Sequence, residues 1–128
     1  MKTFALTLAA AIGFAGAAFA DPLEGNWRTP QDDNGNSGIV QVAPCGGGLC
    51  GTLIQAFDSS GASIQTGNIG RMIIIDTNPT GGGEYRGQVY SPDRDKTYNS
   101  RLQLNGNQLS VSGCVLGICR DGGTWTRQ

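Results

Sequence analysis

The chain has 128 residues, with 9 Lys and Arg against 10 Asp and Glu, 21 Gly, 4 Cys and no His. Such a length makes one domain and not two, and a balanced charge without a basic stripe argues against nucleic acid as a partner. Without His the commonest general base is missing, as is every Ser-His or Cys-His nucleophile pair.

Residues 1–20 read as a secretory leader rather than as part of the fold. Lys2 supplies the positive start, Phe4 to Phe19 is a short apolar run, and Ala18-Phe19-Ala20 places small residues where a signal peptidase reads them. Asp21-Pro22 cuts the run short of the about 20 apolar residues that a membrane span needs. Cleavage is expected before Asp21, leaving a single domain over 21–128. Only Lys2 is lost from the charge count, so 8 basic side chains remain against 10 acidic ones, a net of −2. The product is expected in the periplasm or outside the cell, not spanning a membrane, and as a monomer.

Eight short strands are expected in the remaining chain. They are Leu23–Arg28, Gly38–Ala43, Leu49–Phe57, Arg71–Asp76, Glu84–Ser91, Lys96–Leu104, Gln108–Val115 and Gly123–Arg127. The intervening segments Thr29–Ser37, Asp58–Gly70 and Thr77–Gly83 are rich in turn-forming residues. Asn105-Gly106 predicts a type I′ hairpin turn. The clearest alternation runs from Glu84 to Leu104 around Ser91-Pro92-Asp93-Arg94-Asp95. Tyr85, Gly87, Val89, Tyr98, Ser100, Leu102 and Leu104 share its apolar face, and the opposite face is polar, so the sheet is covered on one side only. Met72-Ile73-Ile74-Ile75 breaks the alternation, which predicts a strand covered on both faces, with Asp58–Gly70 lying over its outer side. Strands this even suit an all-β, antiparallel up-and-down barrel, since closure removes unpaired edges.

Closure would pair the first and last strands. It would bring Arg127 over the Trp27 ring, where a guanidinium gains cation–π energy and can bond backbone carbonyls left free at the barrel's end. Gly25, Trp27, Trp125 and Arg127 are the residues assigned to closure.

Cys45 and Cys50 flank four residues, as do Cys114 and Cys119. In an exported protein, an even count at matched spacing reads as disulfides. Of three pairings, Cys45–Cys50 with Cys114–Cys119 is favoured, each clipping its own hairpin or bulge; loop entropy leaves a long-range alternative such as Cys45–Cys119 open. Zinc is disfavoured by the spacing and the oxidising compartment. The carboxylates Asp32-Asp33 and Asp93 with Asp95 fall in turn-rich segments, where Asx turns are the ordinary use. Arg94 in the middle argues against calcium. No metal, cofactor or catalytic residue is expected, and the protein is not read as an enzyme.

Taken together, several short pieces form a specific order. They are Gly25-Asn26-Trp27, Pro44-Cys45, Leu49-Cys50-Gly51, Gly87-Gln88-Val89-Tyr90-Ser91-Pro92, Lys96-Thr97-Tyr98, Gly113-Cys114-Val115 and Thr124-Trp125-Thr126-Arg127. This order resembles the bacterial family called domain of unknown function twenty-one forty-seven, over nearly all of the chain after Ala20. The resemblance implies a lipocalin-like barrel of about eight strands, exported, with no established activity. Gly25-x-Trp27 is also similar to the lipocalins proper. Two departures stand out: only Asp58–Gly70 occupies the place of a longer segment in other members, and Asp95 stands where many have Gly.

The leading functional expectation is a barrel that holds a small apolar or amphipathic ligand in the cell envelope, with Val89, Tyr98, Leu102, Leu104, Leu109 and Val111 as its lining. An eight-stranded barrel is just wide enough either to be filled or to hold one ligand. The alternative is an interaction or structural protein, such as an inhibitor or envelope-stress component. It would use the stapled loops and their apolar residues Leu49, Leu116 and Ile118 to meet an envelope protein partner. A hydrolase, resting only on the carboxylate pairs, ranks last.

Overall fold

The computed structural model describes residues 20–128. Residues 1–19 and the leader read there lie outside the described residues. Nine strands occur among the described residues, and none of these residues forms a helix. They are β1 (Gly25–Arg28), β2 (Ser37–Cys45), β3 (Gly48–Phe57), β4 (Ser63–Ile64), β5 (Met72–Gly81), β6 (Glu84–Ser91), β7 (Lys96–Asn105), β8 (Gln108–Val115) and β9 (Ile118–Arg127). The sheet runs β2-β1-β9-β8-β7-β6-β5-β3-β4, and a further β2–β3 pairing closes it. Eight strands therefore make a closed antiparallel barrel, while β4 is a two-residue appendage on β3.

Alternation builds the barrel, because side chains in register across a ladder share a face. Tyr85 sits opposite Leu102, which sits opposite Val111, while Leu104 opposes Leu109 and Leu109 opposes Trp125. The β1–β9 seam is short: Trp27 opposes Arg127 and Arg28 opposes Thr126. The Gln128 amide adds a bond to the Asn26 carbonyl at 2.9 Å.

Three local expectations change. The run at Ile73 and Ile74 is a β-bulge, not a strand covered on both faces. Gly51 pairs with Ile74 and Thr52 with Met72, so Ile73 is an extra residue. A bulge re-aims a side chain, and here it buries two consecutive isoleucines. The outer side stays open, with Met72 at 42% and Ile54 at 41% exposure. Second, the polar segment Thr77–Gly81 continues β5 instead of turning. A register shift between Ile75 and Asn78, with Asp76 at φ 45°, lets Asn78 and Pro79 pair with Arg86 and Tyr85. Similarly, β9 starts at Ile118, because a shift opposite Ser110–Ser112 absorbs Gly122-Gly123 within the strand. Third, the β7–β8 turn is Gly106-Asn107, and only Gly106 has a positive φ. That is the type II′ requirement of glycine at the first central position, not type I′.

Candidate functional site

The up-and-down order sends alternate connections to opposite ends. One end collects the β2–β3, β5–β6 and β7–β8 turns together with the segment Asp21–Glu24 and the end of β9, and it is closed. The Arg127 guanidinium lies 4.3 Å from the centroid of the Trp27 ring. It donates to the Pro22 carbonyl at 2.7 Å, the Glu24 carbonyl at 3.1 Å and Asn107 Oδ1 at 3.2 Å. Gly25 is at φ 125°, and a Cβ there would stand 3.2 Å from the same guanidinium. The fully buried Trp27 donates from Nε1 to the Leu23 carbonyl at 2.9 Å. Asp21–Glu24 thus folds over this end as a tight turn. The Glu24 amide bonds the Asp21 carbonyl, the Asp21 amide bonds Glu24 Oε2, and Tyr85 donates its hydroxyl to Asp21 Oδ1 at 2.5 Å. Burial, and then the Asp21 carboxylate, push the Tyr85 hydroxyl well above the ordinary tyrosine range.

At the other end the barrel is open on a cavity of about 1000 Å³. Its apolar wall is Val40, Leu53, Ala56, Ile73, Val89, Val111 and Trp125, with Tyr98 and Gly113 beside them. Such a volume takes a ligand of drug or lipid-fragment size. The mouth is formed by the β1–β2 connection, the β6–β7 turn and the β8–β9 hairpin; with the start of β9 they bring Asp32, Asp33, Asp93, Arg94, Arg120 and Asp121 to one rim.

The rim carboxylates are mostly engaged in shaping loops. Asp32 Oδ1 accepts the amides of Asn34 and Asn36 at 2.9 and 3.0 Å, and Asp121 Oδ1 accepts that of Gly123 at 2.9 Å. Asp93 accepts from Ser91 Oγ at 2.6 Å, which is the main reason its carboxyl sits below the usual range. Arg94 lies 3.6 Å from Asp33 across the mouth. Its guanidinium is held above its ordinary value chiefly by the Tyr98 hydroxyl. Asp95, the other expected partner of Asp93, accepts instead from the Tyr90 hydroxyl at 2.7 Å. None of these contacts couples two carboxylates in the way acid–base hydrolysis needs.

The family described as "uncharacterized protein conserved in bacteria" (DUF2147) matches residues 25–127. The chain belongs to this family. Among solved structures it is similar to protein HP1028 from the human pathogen Helicobacter pylori, described as belonging to the lipocalin family. The likeness has a TM-score of 0.63 at 20% identity, covering 86% of this chain and 84% of that one. At that identity the likeness concerns the fold, which is a lipocalin-like barrel. No curated protein matches the chain.

The six side chains expected to line a ligand site divide by height within this barrel. Val89, Tyr98 and Val111 lie on the cavity wall; Leu102, Leu104 and Leu109 do not. Leu102 and Leu109 are fully buried in the packed core, and Leu104 packs against it. Trp125, assigned to closure, also reaches the cavity wall. Disulfides join Cys45 to Cys50 beside the β2–β3 turn and Cys114 to Cys119 beside the β8–β9 turn. Two disulfides fit an oxidising compartment. Leu49, expected to be exposed, is buried on the inner side of β3 at 6%.

Two features escaped the sequence. Ser100 is 3% exposed, and its hydroxyl has no hydrogen-bond partner. It stands between Gly87 and Gly113 in the ladder, and an inward serine there looks like any other strand residue. The second is the β8–β9 turn. Leu116 and Gly117 both have positive φ, 53° and 81°, the type I′ geometry that leucine adopts at a cost of about 1–2 kcal/mol. The equivalent β5–β6 turn uses Gly82-Gly83.

Proposed function

We propose that this protein is an exported carrier or scavenger that holds a small apolar or amphipathic molecule in its barrel within the bacterial cell envelope, binding it without chemistry. The observation that carries this reading is the open cavity of about 1000 Å³, apolar along its wall and charged only at its rim. A long apolar group would displace water from the parts of the wall that water still reaches, at Leu53, Val89, Tyr98 and Val111, at roughly 25 cal/mol per Å² removed from water. Its polar end would stay at the rim, near Arg94 and Arg120. Packing at the other end leaves a single mouth for entry and exit. The two disulfides support the envelope as the place of work.

The test is twofold. Protein purified without detergent is extracted with organic solvent and the extract read by mass spectrometry, where a defined amphiphile at near-stoichiometric amount is expected. Titration with N-phenyl-1-naphthylamine, a neutral apolar fluorophore, should show saturable binding in the micromolar range. Val111→Trp, which fills the cavity, should weaken it by about tenfold or more, the worth of one or two buried methylene groups and a blocked wall. Equal binding by the variant and the wild type would refute the cavity as the site.

A further inference from the structure

The tip of the β8–β9 hairpin presents its apolar side chains to solvent. Leu116 is 96% exposed, Ile118 67% and Val115 55%, and these are the three most exposed large apolar side chains among the described residues. Burial does not explain them, nor does turn geometry, since leucine is a poor choice at a left-handed position. The Cys114–Cys119 disulfide clips the base of this two-residue turn, so the tip is held out rigidly. All three side chains also lie at the cavity mouth. The apolar surface therefore continues from the cavity wall out to the tip of this hairpin.

We propose that this tip inserts into a zwitterionic lipid surface, so that the cavity mouth opens onto lipid and the ligand passes between bilayer and barrel without crossing water. The proposal rests on the ligand-binding reading above and names the surface from which that site is loaded. Three side chains on one turn bury far less than the roughly 1,000 Å² that a specific protein interface needs. Insertion among acyl chains needs no complementary partner surface and scales with the apolar area immersed. The rim charges set the kind of surface. Asp32, Asp33, Asp93 and Asp121 outnumber Arg94 and Arg120, so an anionic membrane would repel the mouth while a zwitterionic one would not. Leucine at position 116 then has a reason: the most exposed large apolar side chain is the one exchanged into lipid.

The experiment uses the mature protein with sucrose-loaded phosphatidylcholine vesicles. Wild type is expected to co-sediment at millimolar lipid, and less so when phosphatidylglycerol is added. Leu116→Asp should lower the partition coefficient by about tenfold or more, because it removes a full leucine transfer and adds a charge. Its circular dichroism should match wild type, since the side chain packs against nothing. In Leu116→Trp the new indole should shift its emission to the blue on vesicle addition and be quenched by brominated acyl chains. Val111→Trp should sediment with vesicles within twofold of wild type. No vesicle binding by wild type, or equal binding by Leu116→Asp, would overturn the proposal. So would capture of a stoichiometric protein by wild type but not by Leu116→Asp when neither binds vesicles. Fluorophore binding without vesicle binding would refute the docking alone. Vesicle binding without fluorophore binding would leave the docking standing and refute the cavity reading.

Discussion

Removal of the Arg127 side chain tests how the closed end is held. The guanidinium makes two bonds to backbone carbonyls of the N-terminal turn and stacks on Trp27 at 4.3 Å. Charge-assisted bonds of this kind contribute on the order of 1 kcal/mol each when partly solvated, and the stack about 1 kcal/mol. The bonds to Pro22 and Asn107 are both exposed; that to Pro22 is short at 2.7 Å, whereas that to Asn107, at 3.2 Å, adds little. Arg127→Ala should therefore cost about 2–3 kcal/mol, or about 10–15 °C in Tm for a domain of this size. Arg127→Lys keeps a charge but cannot reach both carbonyls, so about 1–1.5 kcal/mol is expected. Trp27→Ala should cost more, about 3–5 kcal/mol, because it opens a cavity under the N-terminal turn. In the double variant the two losses should fall short of additivity by about 1 kcal/mol, the worth of the stack. Urea unfolding followed by far-ultraviolet circular dichroism measures all four. An Arg127→Ala midpoint unchanged within error would refute the reasoning and mean that the seam closes without this side chain.

Other outcomes follow from single groups. The Tyr85 hydroxyl is held above the ordinary tyrosine value of about 10, so its contribution is fully present below that pH. Above it the unfolded chain ionises first, stability falls as pH rises, and Tyr85→Phe should flatten that slope in unfolding measured between about pH 9 and 11. Ser100→Ala removes a buried hydroxyl without a partner and should raise stability by about 1 kcal/mol; a drop of similar size would mean the hydroxyl is satisfied in solution. Leu116→Asn suits the left-handed turn and should add about 0.5–1 kcal/mol while weakening vesicle binding, a trade that equilibrium unfolding and sedimentation can read on the same sample.

What the sequence by itself determined is what a period of two can carry. The alternation around Tyr85–Val89 and Tyr98–Leu104 separates an inner from an outer face, and the evenly spaced turns make an antiparallel meander of about eight strands. Closure follows, because eight sequential strands with no covering helix otherwise leave two bare edges. The short spacing of the cysteines favours neighbouring pairs but leaves a long-range pairing open; the β2–β3 and β8–β9 hairpins decide it by bringing Cys45 to Cys50 and Cys114 to Cys119. Height along the barrel axis is what a period of two does not carry. Val111 and Leu109 are both inward and two residues apart, yet one lines the cavity and the other lies in the packed end. That difference is set by strand stagger around the closed barrel, which depends on every pairing at once. Bulges act in the same way: the register shift beside Ile73 is imposed by β3 and β5 together, so four apolar residues in a row read alike until the strands are paired. The mouth is the most tertiary feature of all. Asp33 and Arg94 come from two separate connections and Arg120 from the start of β9, and only closure of the barrel brings them to one rim around an apolar cavity.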